Sequence, residues 1–146
     1  LIDQTDDEIE ASLDANFNSI VDACDLIFAK NRTARVCVIG SESGYRGSFD
    51  EGYAAAKRQM HHYIKTFVPH FPQQQLVGIS PSIIIDTKMT ESRKDIKRLN
   101  ARMQAHPMKR WLLAREVAAM AHFLLFNAPY CNGTVVRMHG GQGEET

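Results

Sequence analysis

Residues 36–60 read VCVIGSESGYRGSFDEGYAAAKRQM, and three changes of pattern inside this run decide the fold. Val36, Cys37, Val38 and Ile39 are apolar without alternation, as in a strand covered on both faces. Ser41 stands at the end of that strand, in a stretch that also holds Gly40, Gly44 and Gly47. The small-residue run Gly-Tyr-Ala-Ala-Ala-Lys then opens a helix. Strand, glycine-bearing turn and helix form one unit of an open α/β sheet, where ligands bind outside the carboxyl ends of the strands.

The chemistry in this unit lies in Tyr53 and Lys57, four residues apart, with Ser41 twelve residues before the tyrosine. Positions i and i+4 share one helix face. An ammonium beside a phenol favours the phenolate, which brings a side chain of ordinary pKa about 10 into use as a general acid or base. A hydroxyl at the strand end would hold the substrate oxygen. A Tyr-x-x-x-Lys match is weak alone and gains weight from this strand, turn and helix setting. Ser43 rivals Ser41 but lies past the strand end. The glycines do not form a phosphate-binding loop: their spacing is not G-x-G-x-x-G, and Gly78, Ile79 and Ser80 stand where a ribose-binding acid would follow the next strand.

Outward from this run, helix and strand alternate. Ile9, Leu13, Phe17, Ile20, Val21, Cys24 and Ile27 or Phe28 recur at helical spacing after a Thr5 or Asp6 cap, predicting one long amphipathic helix. The helix over residues 50–68 carries Met60, Tyr63, Ile64 and Phe67 on one stripe and is stopped by Pro69 and Pro72. Residues 35–40, 75–80 and 133–138 read as strands, and residues 115–126 as an apolar helix. Trp111 and Phe123 read as core. Apolar strands separated by helices predict a parallel α/β sheet.

At 146 residues and 44% hydrophobic content, the chain fits a single domain with one core. Its formal charge of zero implies no general attraction to nucleic acid or membranes. No run is long enough to span a bilayer, and the acidic start LIDQTDDEIE is unlike a targeting peptide, so the cytoplasm is the expected location. Cys24, Cys37 and Cys131 have neither disulfide nor metal-ligand spacing and read as reduced, and no His pair repeats a ligand spacing. Charge is nevertheless segregated. Acids crowd the first helix, while Lys88, Arg93, Lys94, Lys97, Arg98, Arg102, Lys109 and Arg110 crowd residues 88–110. Two solvated faces explain this pattern, and so does a basic lid over an anionic substrate.

With these segments in place, the chain resembles the C-terminal part of a short-chain dehydrogenase/reductase over nearly its whole length. LDANFNSIVDA is similar to the family's Asn-bearing helix, VCVIGSESG to its strand with the catalytic Ser, and GYAAAK to its Tyr-Lys motif. ISPSIIIDTKM resembles the family's Pro-Gly loop, with Ser82 where Gly is usual and one extra residue before Thr87. HPMKRWLLAREVAAMAHFLLF and NGTVVRMHGG resemble the closing helix and last strand.

The resemblance implies part of a Rossmann-type, doubly wound parallel sheet: three strands with flanking helices, the remaining strands missing. It implies NAD or NADP as cofactor and catalytic roles for Asn16, Ser41, Tyr53 and Lys57. Tyr53, Lys57, Pro81, Ser82, Ile84 and Thr87 would contact the cofactor. The substrate would be a small carbonyl or alcohol compound, and the basic segment extends this to an anionic one. Pairing through the long helices would give a homodimer or homotetramer. The family's nucleotide-binding half, with its Gly-rich turn, precedes these segments and is expected in cis or in trans, next to the otherwise open apolar edge of residues 36–39. The contrasting reading is a non-catalytic dehydrogenase-like subunit used in assembly or regulation.

Overall fold

Caps and breakers set the element boundaries in the computed structural model, which describes residues 3–142. The Thr5 hydroxyl accepts the Glu8 N–H while the Glu8 carboxylate accepts the Thr5 N–H at 2.9 Å, a reciprocal capping box that starts α1 (Asp6–Leu13). The winding relaxes to π geometry over Asp14–Asn18 and resumes as α2 (Ser19–Lys30). The long helix expected from the sequence therefore contains an irregular turn, and Asn16 lies within it. Cys24 and Phe28 are its buried residues, whereas Ile27 is exposed, so Phe28 continues the stripe.

Next come β1 (Arg35–Ile39), the short α3 (Ser43–Arg46) and α4 (Glu51–Thr66). Asp50 caps α4 by accepting the Tyr53 N–H at 2.7 Å. The helix stops at Thr66 because Phe67 is already extended, two residues before Pro69. β2 (Gln75–Pro81) is buried at every position. Then follow α5 (Lys88–Glu91), α6 (Ile96–Ala105), α7 (Ala114–Asn127) and β3 (Val135–Met138). The last strand starts two residues later than the apolar pattern suggests, since Gly133 turns with φ +71°.

The three strands are parallel in the order β1-β2-β3, with Val38 opposite Gly78 and Gly78 opposite Val135. Each side of the sheet carries its own core. On one, Leu76 and Val38 meet Cys24, Phe28, Met60 and Ile64 of α2 and α4. On the other, Val77 and Ile79 meet Val117 and Leu124 of α7. This is an α/β arrangement with helices on both faces, and each fully buried aliphatic side chain in it contributes about 1.5–3 kcal/mol. Phe123 departs from the expected core position. The face of α7 that packs on the sheet runs through Val117, Met120, Ala121 and Leu124, which leaves Phe123 53% exposed.

β1 is an edge strand, with Ile39 at its end 43% exposed. No helix among the described residues is long and apolar enough to cross a membrane. The three cysteines are free, and burial raises the thiol pKa of Cys24 and Cys37.

Gln74, just before β2, holds the end of the sheet opposite Ser41. Its buried amide donates to the Phe28 and Asn31 carbonyls at 2.7 and 2.8 Å and accepts the His70 and Phe71 N–H groups. Gln74→Ala is expected to lower unfolding free energy by about 2–3 kcal/mol in urea titration, because main-chain groups lose buried partners. Ligand binding at the far end of the sheet should be unchanged.

Candidate active site

A cleft of about 670 Å³ opens over the carboxyl ends of β1 and β2. Its walls include Ser41, Tyr53, Lys57, Pro81, Ser82, Ile84 and Thr87, seven of the eight residues that the sequence nominates. They converge because two parallel strands end side by side and α4 lies across them. Met60 and Ile64 anchor α4 on the sheet, and the turns before them carry Tyr53 and Lys57 to the strand ends.

Lys57 is 8% exposed, and burial lowers its pKa. Its ammonium lies 5.3 Å from the centroid of the Tyr53 ring and makes no hydrogen bond among the described residues. The stem is buried while the ammonium lines the cleft, which makes it a ready donor to a ligand hydroxyl. The Ser41 hydroxyl oxygen accepts the Ser43 N–H at 3.1 Å, which leaves its proton available for donation. Ser43 also lines the cleft, at the start of α3.

On the opposite wall, the loop after β2 is pinned by a parallel bridge between Ile84 and Leu112 and by the Thr90 hydroxyl on the Ile84 carbonyl at 2.6 Å. The Thr87 hydroxyl donates to the same carbonyl at 3.2 Å. Asn16 is the one nominated residue outside the cleft wall. Its amide donates to the Ser12 carbonyl at 3.1 Å, within the π segment that packs against α4.

Sequence reading missed the supports. Glu42, directly after Ser41, is 5% exposed and accepts from Ser80 at 2.6 Å and from Arg137 at 2.7 Å. Burial pushes its pKa up, but the hydrogen bonds and charge of Arg137, with the Ser80 hydroxyl, bring it below its ordinary value. His61 is buried beneath the Ser41 turn, stacked on Tyr45 at 4.6 Å, and its Nε2 accepts the Ser41 N–H at 3.4 Å. A Cβ at Gly40 would lie 2.3 Å from His61 Nε2, and one at Gly44 2.8 Å from its ring. These two glycines therefore make room for an imidazole rather than for a phosphate. Trp111, expected in the core, is 3% exposed and also forms part of the cleft wall. The only sequence signals were a charged residue after an apolar strand and a histidine one turn beyond Lys57.

A family model described as enoyl-(acyl carrier protein) reductase matches residues 1–142. The chain belongs to the short-chain dehydrogenase/reductase family of NAD(P)-dependent oxidoreductases. Among solved structures, 3-hydroxyacyl-CoA dehydrogenase type-2 from Mycobacterium avium superposes with a TM-score of 0.82 at 24% identity, over 97% of this chain and 58% of that one. A 4-hydroxyisoleucine dehydrogenase complexed with NADH gives 0.83 at 20% identity, over 94% and 60%. A variant of actinorhodin polyketide ketoreductase with NADPH gives 0.82 at 18%, over 95% and 60%. At these identities the likeness carries the fold. The chain spans about six-tenths of the length of these structures. No curated protein matches it.

Burial of His61 makes stability depend on pH. Desolvation first, then the charges of Lys65, Lys57 and Arg137, lower its pKa from 6.5 to about 4, against the partial opposition of Glu42. A base with a depressed folded pKa favours the folded state above its unfolded pKa. That contribution falls as pH drops from 6.5 to 4, by about 3 kcal/mol over the window. Unfolding measured from pH 7 to 4 should show this loss, and His61→Gln should remove it. Glu42 adds a separate loss at lower pH, as acid protonates a carboxylate whose folded pKa lies below 4.5.

Proposed function

We propose that this chain forms the catalytic part of an NAD(P)-dependent oxidoreductase that interconverts a small carbonyl compound and its alcohol. The observation that carries this reading is Lys57, largely buried and with no hydrogen bond among the described residues, presenting its ammonium beside Tyr53 in a cleft that also holds Ser41. A purely structural subunit gains nothing from aiming a partly desolvated, unengaged cation into a cleft, whereas an active site does. This argues against the assembly role.

The residues present fit a nicotinamide cofactor. Lys57 would donate to ribose hydroxyls, while Pro81, Ser82, Ile84 and Thr87 would line the side facing the nicotinamide. When bound, the cofactor supplies or accepts the hydride. The chain's own residues handle the oxygen. Ser41 donates a hydrogen bond to the substrate oxygen and fixes its position. Tyr53 gives that oxygen a proton during reduction and takes one during oxidation. The Lys57 charge stabilises the negative charge left on the phenol oxygen as its proton departs. Asn16, in the π segment against α4, would hold a water that links Lys57 to solvent, and the proton that Tyr53 gives away is replaced along this route through the Lys57 ammonium. The open edge of β1 is where the nucleotide-binding strands would pair, from the same polypeptide or a partner.

Tyr53→Phe should cut turnover by about 10²–10⁴-fold while leaving nicotinamide affinity intact, since it removes the acid and not a binding group. Steady-state kinetics with a separate cofactor titration will read both. Retained turnover would remove Tyr53 from the mechanism. Lys57→Ala should reduce turnover and affinity together, and unchanged affinity would contradict the ribose contact.

A further inference from the structure

Among the described residues the charges lining the cleft are unequal: four basic side chains, Arg46, Lys57, Arg93 and Arg102, line it with two acidic ones, Glu42 and Asp50. Both carboxylates are engaged elsewhere. Glu42 holds Arg137 and Ser80, and Asp50 caps α4 and accepts from the Gln4 amide at 3.0 Å. Besides Lys57 at the reacting end, three guanidinium groups line the cleft. They come from three places in the chain: the end of α3, the turn between α5 and α6, and α6 itself. Their convergence on one concavity sets them apart from Lys88, Lys94, Lys97, Arg98, Lys109 and Arg110, which do not line it.

Arg102 stands out. It has no ion pair or hydrogen bond among the described residues. Burial, then the charges of Arg93, Arg98 and Arg46, push its pKa down, and only Asp95 opposes them. Its neighbours are differently held. Arg93 binds Asp95 in a two-point contact, Arg46 donates to Gln142 at 3.0 Å, and Arg98 lies over the Phe49 ring at 4.6 Å outside the cleft wall. The neighbouring arginine charges act on Arg102 in the same direction, and an anion entering the cleft would offset them. Arg46 and Arg102 stay open to solvent, where an incoming anion can reach them, and field focusing in a concave site strengthens the attraction. The guanidinium fork matches the paired oxygens of a carboxylate or phosphate.

We propose that the substrate carries a carboxylate or phosphate at the end away from its reacting oxygen, and that Arg102, flanked by Arg93 and Arg46, binds that group. The proposal rests on the oxidoreductase reading of the same cleft and adds the substrate class, an anionic oxo or hydroxy compound. It also assigns orientation: the charged end lies toward α6, the reacting oxygen toward Ser41 and Tyr53. The phosphates of a dinucleotide share this chemistry, so the test has to separate the two sources.

Trp111 is the only tryptophan in the chain and lines the cleft, so its emission reports binding without turnover. The full protein is titrated with short unbranched keto acids of increasing length, each beside its uncharged amide, with dihydroxyacetone phosphate beside dihydroxyacetone, and with ADP-ribose. At least one anion is expected to bind about tenfold or more tightly than its neutral partner, the size of one charge-assisted hydrogen bond. Arg102→Gln should bring that pair near parity, Arg102→Lys should keep part of the preference, and Arg98→Gln should keep all of it. Equal affinity within every pair, binding of none, or a preference that survives Arg102→Gln overturns the proposal. So does an Arg102→Gln effect confined to ADP-ribose, which would give the arginine to the cofactor. Nicotinamide-dependent turnover is read separately. Its absence beside an intact anion preference sinks the oxidoreductase reading and leaves the anion site standing, while turnover without charge preference does the reverse.

Discussion

One carboxylate ties the three strands together at the end where the cleft opens. Glu42 follows β1, Ser80 belongs to β2 and Arg137 to β3, and the Glu42 side chain bonds to both at 2.6 and 2.7 Å. The backbone reinforces the tie, as the Glu42 N–H donates to the Pro81 carbonyl at 3.0 Å and the Gly40 N–H to that of Ile79 at 2.7 Å. A buried ion pair of this kind is weak evidence for net stability, since desolvation offsets much of the attraction. Its effect here is positional. It fixes where β1 ends, and therefore where Ser41 and α3 begin.

The second constraint is the seating of α4. Met60 and Ile64 have no exposed surface, and Gly78 in the middle of β2 lets the helix approach so closely that a Cβ there would meet Ile64 at 2.7 Å. Farther along, His61 fills the space that Gly40 and Gly44 leave open and meets the Ser41 N–H. The helix is thus keyed to the sheet by an apolar contact at one point and a buried imidazole at another. Tyr53 and Lys57 occupy the turns that overhang the strand ends as a consequence. The cleft's remaining wall, from Thr87 through α6, brings the arginines.

What was legible in the sequence was local. Apolar runs such as VCVI and LVGI mark strands because both faces of the sheet are covered, and the Ser41, Tyr53 and Lys57 spacing is legible because one strand, one turn and one helix place all three. Illegible features depend on residues far apart in the chain. Glu42 and Arg137 are 95 positions apart, and nothing local distinguishes them from solvated charges. The spacing of Gly40 and Gly44 argues against a phosphate loop, but only the fold shows that they make room for His61. Phe123 sits in an apolar helix, and only the direction from which the sheet approaches decides that Val117 and Leu124 are inside and Phe123 is not. The convergence of Arg46, Arg93 and Arg102 is of the same kind: a basic stretch was visible, its focus on one cleft was not.

Whether the Ser41, Tyr53 and Lys57 cleft receives the nicotinamide end of a dinucleotide can be read from backbone amide NMR spectra recorded while NADH or NADPH is added, since these locate binding residue by residue without a substrate. Saturable shifts are expected at Ser41, at Tyr53 and Lys57 of α4, and in the loop from Ser82 to Thr87. Spectra unchanged by both cofactors, or shifts centred elsewhere on the molecule, would rule out cofactor binding in this cleft.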